Sequence, residues 1–114
     1  MARKCLLFTY GLLQPGQRGG PRSVSQSWPD RVPGRLYDLG DFPAARDLGR
    51  AETWVAGLTL EIDELELPEL DAFEDVDSGE FARVLIETER GFLAWAYEYR
   101  WEIPTGLVAR ERWR

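Results

Sequence analysis

The stretch KCLLFTYGLL, residues 4–13, decides how this chain is to be read. Cys5, Leu6, Leu7, Phe8 and Tyr10 put apolar side chains on both parities of an extended segment, and only Lys4 and Thr9 interrupt them. A strand with one wet face alternates, whereas a strand apolar on both parities is covered on both faces. The first strand therefore belongs in the middle of a sheet. It runs into Gly11 and then into residues 14–22 (QPGQRGGPR), where three glycines and two prolines dictate a loop. A glycine at that junction permits a sharp departure of the chain. Successive backbone N–H groups turning there form a concavity for an anion or a developing oxyanion, unless the junction is a plain strand-to-loop turn. Neither GKS/GKT nor GxGxxG accompanies Gly11, so this is not a phosphate loop.

The rest of the chain arranges itself around that strand. Residues 31–47 (RVPGRLYDLGDFPAARD) read as a short strand around 34–39 that ends at Gly40 and enters an irregular Phe-Pro segment. Residues 53–62 (TWVAGLTLEI) alternate, with Trp54, Ala56, Leu58 and Leu60 on a drier face and Thr53, Val55, Thr59 and Glu61 on a wetter one. Residues 64–77 (ELELPELDAFEDVD) form the helix of the chain, with Pro68 in its first turn and acidic residues at its N-terminal side, as the helix dipole favours. Two strands follow at 81–89 and 92–100, joined as a hairpin around Arg90-Gly91. The C-terminal LVARERW either adds an edge strand or packs down. Strands thus dominate, and the expected class is α+β: one domain over residues 1–114 with a small barrel-like mixed sheet closed by a short helix.

Composition excludes several functions. The 114 residues, 44% hydrophobic, suit one folded domain. A net charge of −6 and a pI near 4.7 oppose binding through phosphate neutralisation, so nucleic acid is not an expected partner. The apolar run before Gly11 is too short for a secretory core or a membrane span, which points to a cytoplasmic protein without a membrane partner. The lone Cys5 has no partner for an internal disulfide and reads as a small buried hydrophobe. With no histidine, the chain has no Ser-His-Asp or Cys-His relay and no His-liganded zinc, and one cysteine makes no thiolate cluster. Any chemistry falls to carboxylates, hydroxyls, amines or backbone amides, with no cofactor or metal.

Glu74 is the first candidate. At roughly 100° per residue, with Leu67 at zero, Leu70 lies near ~300°, Phe73 near ~240° and Glu74 near ~340°, inside the apolar arc, while Asp71 and Asp75 point elsewhere. A carboxylate on the core side is pushed toward a neutral pKa, the condition for a general acid/base. The alternatives are that Glu74 bends out to water or ties to Arg83. Arg83 is a candidate ligand for a substrate carboxylate or, alternatively, a structural ion pair. The aromatic strand through Trp95, Tyr97 and Tyr99 lines a pocket or fills the core. Glu80, at the entrance of residues 81–89, is a second carboxylate or a solvated turn residue.

Five segments, taken together and in order, resemble the γ-glutamylcyclotransferase-like family, including the group named after a plant protein induced by avirulence genes. They are LLFTYGLLQPGQ, PGRLYDLGDFPAA, LPELDAFED, GEFARVLIET and GFLAWAYEY. The resemblance implies a barrel-like α+β fold with a cavity whose floor includes the exit of the first strand. It implies that Tyr10, Gly11, Leu12 and Leu13 bind substrate through backbone groups and that Glu74 is the acid/base. Members release 5-oxoproline from small γ-glutamyl compounds: the substrate's own α-amine attacks its γ-carbonyl, so no protein nucleophile is needed. Leu12 stands where the family usually has Ser or Thr, and Phe81 where Tyr is common, which keeps a non-catalytic binding domain on the same scaffold as the alternative.

Overall fold

Both faces of the first strand, β1 (Lys4–Thr9), are covered: Leu7 is wholly buried on one and Phe8 on the other. In the computed structural model, which describes residues 3–11 and 20–113, β1 joins β2 (Gln26–Pro33), β5 (Trp54–Asp63), β6 (Phe81–Glu87) and β7 (Leu93–Tyr99). The order is β2-β5-β1-β7-β6, so β1 is central. It pairs antiparallel with β5 and parallel with β7, and β6 and β7 form the expected antiparallel hairpin. A separate two-stranded ribbon consists of β3 (Arg35–Asp38) and β4 (Pro43–Arg46). Leu7, Leu60, Ile62, Tyr97 and Tyr99 belong to one core; Phe8, Val32, Val55, Ala94 and Ala96 belong to the other.

The α+β class with a mixed sheet and a short helix is as expected, and the sheet is open. Among the described residues its edges meet at one corner, where the Glu89 N–H donates to the Arg31 carbonyl at 2.8 Å and Arg90 Nε donates to the Pro29 carbonyl at 2.7 Å. Arg31 and Glu89 add an ion pair there. The sheet therefore curls like a barrel without a continuous closing ladder.

Several local readings change. Residues 26–33, with two prolines, carry no strand signal in sequence, yet they form β2 along the sheet edge. An edge strand needs a ladder on one side only, and proline is tolerated there. The Phe-Pro segment is likewise regular from Pro43 onward, a first-residue position open to proline, and Ala44 and Ala45 are fully buried. The wetter face expected of β5 is core over part of its length: Val55 and Thr59 are as completely buried as Leu60 and Ile62, because a core lies on each side, while Glu61 on the same face is half-buried. The Thr59 hydroxyl is satisfied by donating to Asp30 Oδ2 at 2.9 Å.

The helix expected over 64–77 is three pieces: a 3₁₀ turn at Glu64–Glu66, α1 (Leu67–Phe73) and a second 3₁₀ turn at Val76–Ser78. Leu67 and Leu70 are buried against the first core, each contributing about 1.5–3 kcal/mol. Asp75 takes a left-handed conformation with φ of 56°, accessible to Asp, and ends the helical run. Glu74 is thus the hinge residue between α1 and that turn. The C-terminal segment packs down through a single bridge between Leu36 and Arg110, with the Ala56 N–H donating to the Glu111 carbonyl. No helix among the described residues is long and apolar enough to cross a membrane.

Candidate active site

The exit of β1, the end of α1 and the entrance of β6 converge on a cavity of about 160 Å³. Its floor is the run Phe8-Thr9-Tyr10-Gly11, and Phe42, Pro43, Phe73 and Phe81 make apolar walls. Glu74, Glu80 and Tyr97 supply polar groups. The floor exists because two backbone approaches are closer than any side chain allows. A Cβ on Gly11 would fall on the Pro43 ring, meeting Cδ at 2.9 Å, and a Cβ on Gly57 of β5 would collide with the Thr9 carbonyl oxygen. Gly11 is outside the left-handed region, so contact rather than an unusual φ demands glycine here. Among the described residues, no acceptor meets the Gly11 N–H.

Glu74 hangs from the last turn of α1, its N–H donating to the Leu70 carbonyl at 3.0 Å. Its carboxyl is half-buried, and no hydrogen bond or ion pair holds it among the described residues. Burial first, and the charge of Glu80 second, push its pKa from 4.5 to about 7. Glu80 is itself raised, by burial and then by Asp75. The charge of Glu80 thus opposes ionisation of Glu74 in the shared cavity.

Both tyrosines remain donors. The Tyr10 hydroxyl donates to the Tyr97 carbonyl, and burial, reinforced by Glu74, pushes its pKa well up. The Tyr97 hydroxyl donates to Asp71 Oδ1 at 2.6 Å and is raised by burial and then by that carboxylate. Asp71 in turn accepts from Arg83, Nε to Oδ1 at 2.9 Å and Nη2 to Oδ2 at 3.3 Å. The Arg83 guanidinium lies 4.4 Å from the centre of the Trp95 ring. Among the described residues, no cluster of three or more His, Cys, Asp or Glu is placed to hold a metal ion.

The family model described as "Gamma-glutamyl cyclotransferase, AIG2-like" matches residues 7–114. The chain belongs to this family. Among solved structures, protein ytfP from Escherichia coli is 32% identical over 94% of this chain and 92% of its own, with a TM-score of 0.65. An AIG2-like protein from Mus musculus has a TM-score of 0.79 at 22% identity, covering 98% of this chain and 89% of that one. YkqA from Bacillus subtilis has a TM-score of 0.69 at 24% identity, and the match covers 87% of this chain but only 37% of YkqA's length. These last two are likenesses of fold. No curated protein sequence matches significantly.

Of the residues singled out in the sequence, the structure brings Tyr10, Gly11, Glu74 and Glu80 to one cavity. Leu12 and Leu13 lie outside the described residues. Arg83 is absent from the cavity lining, and its guanidinium is taken up by Asp71 and Trp95, the structural ion pair that was the alternative to a substrate ligand. Asp71 was not among the expected site residues. Its helical angle of about 40° on the scale above sets it only ~60° from Glu74, a signal that would have placed it beside the cavity face of the helix. Phe42 and Pro43 are likewise site walls that their Phe-Pro sequence, read as irregular loop, did not reveal.

Proposed function

We propose that this protein is a γ-glutamylcyclotransferase that releases 5-oxoproline from a γ-glutamyl amine or peptide. The observation that carries the reading is the shared cavity of Glu74, its carboxyl near neutrality, and the backbone of Tyr10-Gly11. The α-amine of the substrate forms a new C–N bond to its γ-carbon while the bond from that carbon to the departing amine breaks. Glu74 takes a proton from the α-ammonium and returns it to the leaving nitrogen, which also gains the second proton that the attacking nitrogen loses as the lactam forms and so departs as an ammonium; a midpoint near 7 populates both forms of Glu74 at neutral pH. The Gly11 amide is the donor offered to the carbonyl oxygen or the α-carboxylate. Ring closure is intramolecular, so positioning and proton transfer are the protein's share.

The test is 5-oxoproline release across γ-glutamyl amino acids, amines and dipeptides. The expected result is turnover of at least one, lost in a folded Glu74→Gln variant; equal turnover by that variant removes Glu74 from the mechanism. A Glu80→Gln variant on the same substrate checks whether Glu80 carries the proton instead. A second reading, a small-molecule-binding domain without turnover, is favoured by Phe81, whose ring brings no hydroxyl to the cavity wall. It expects thermal stabilisation by γ-glutamyl compounds and no product.

A further inference from the structure

The Glu74 carboxyl has no hydrogen-bonding partner among the described residues, so its place in the cavity depends on the end of α1 from which the side chain hangs. That helix has only seven residues, no side-chain cap, and two buried leucines, both in its first four positions. Such a short helix is not stable by itself. Beyond those leucines, the end that carries Glu74 is held to the sheet by the hydrogen bonds of Asp71 and by Val76 of the following 3₁₀ turn, which packs against the first core.

We infer that Arg83 is a positioning residue for Glu74: its guanidinium, held between the Trp95 ring and the Asp71 carboxylate, fixes the turn of α1 that carries Glu74 into the cavity. This rests on Glu74 being the proton carrier. The geometry has three parts. Arg83 on β6 grips both oxygens of Asp71 in a two-bond fork, three residues before Glu74 on the same helix. Trp95 on the neighbouring β7 restricts the guanidinium from its face. Asp71 also accepts from the hydroxyl of Tyr97, whose ring lines the cavity and whose carbonyl accepts from Tyr10. Arg83 and the Tyr97 hydroxyl thus both hold Asp71, and with it the helix end, against β6 and β7, and the ion pair is three-quarters buried, where such a fork is strong.

The charged and titratable groups around Glu74 are Glu80 at the β6 entrance, Tyr10 from β1 and Tyr97 from β7, with Asp71 and Arg83 beside the Tyr97 hydroxyl. Removing a cation raises the pKa of a nearby carboxyl by direct electrostatics, whereas releasing that carboxyl to water lowers it. The two effects have opposite signs in Arg83→Gln. The experiment is a carbon-13 titration of the glutamate carboxyls in the full chain, with Glu74→Gln assigning the resonance, for wild type, Arg83→Gln, Arg83→Lys, Asp71→Asn and the Asp71→Asn/Arg83→Gln pair. The expected result is a Glu74 midpoint about one pH unit lower in Arg83→Gln and Asp71→Asn, with the double variant moving no further because both act through one contact. Arg83→Lys keeps the charge without the fork and shifts in the same direction by less. A midpoint that stays or rises in folded Arg83→Gln overturns the inference, as does an Arg83→Lys variant identical to wild type. If wild type releases 5-oxoproline, Arg83→Gln lowers kcat about tenfold with KM within about twofold; a raised KM at unchanged kcat assigns Arg83 to substrate binding and overturns it. The titration needs no turnover, so a protein that cyclises nothing fails the functional reading while the positioning claim is still decided.

Discussion

Exchanging Glu74 for glutamine replaces a carboxyl by an amide of nearly the same shape, so the pH dependence of the difference isolates one ionisation. The unfolded chain releases the Glu74 proton near 4.5 and the folded protein releases it near 7. Below the lower value both states are protonated and folding is indifferent to the group. Between the two values the folded protein retains a proton that the unfolded chain has lost, so stability falls as pH rises. Above the upper value the whole penalty is present. At ~1.4 kcal/mol per pH unit, the interval amounts to about 3 kcal/mol. Relative to Glu74→Gln, the wild type therefore loses about 3 kcal/mol of stability between roughly pH 4 and pH 8. For a chain of this length that is a change of about 10 °C in the Tm difference. Paired urea or thermal unfolding of the two proteins across that range measures it, and contributions common to both cancel. Parallel profiles, or a difference that grows toward acid, refute the argument that Glu74 is desolvated in the fold.

Three other outcomes follow from the same geometry. Glu80→Gln removes the charge that opposes ionisation of Glu74, so the Glu74 midpoint moves below about 7 in a carboxyl titration; an unchanged midpoint means the two carboxylates do not interact. Gly11→Ala drives a methyl into the Pro43 ring and destabilises by about 1–3 kcal/mol in urea unfolding, whereas a neutral result places the cavity floor elsewhere. Leu70→Ala empties one of the two buried positions of α1 and costs about 2–5 kcal/mol, with tighter Glu74 proton binding lost as the helix loosens; a cost below about 1 kcal/mol contradicts the packing.

The parts of the fold that were legible are those whose physics is local. β1 announces itself because Leu7 and Phe8 demand burial on opposite faces, and the β6–β7 hairpin because two apolar runs flank Arg90-Gly91. β2 and β4 were hidden because their prolines speak against strands in general, and only an edge position or a strand's first residue permits them, which is a fact of topology. The polarity of Thr59 suggested a wet face, but a partner for its hydroxyl, Asp30, sits on another strand. At the site, helical periodicity put Glu74 on the apolar arc and the structure lines the cavity with it. Arg83 was ambiguous because sequence shows a guanidinium but not which carboxylate faces it; Asp71 does.

The parallel pairing of β1 with β7 joins the first strand of the chain to the last. During synthesis β1 has no neighbour on that side until Leu93–Tyr99 has left the ribosome. The cavity draws its floor from β1 and one wall from β7, so it does not exist on a nascent chain. A truncation before Leu93 leaves β1 with an unpaired apolar edge, and such fragments should be ligand-blind and prone to associate.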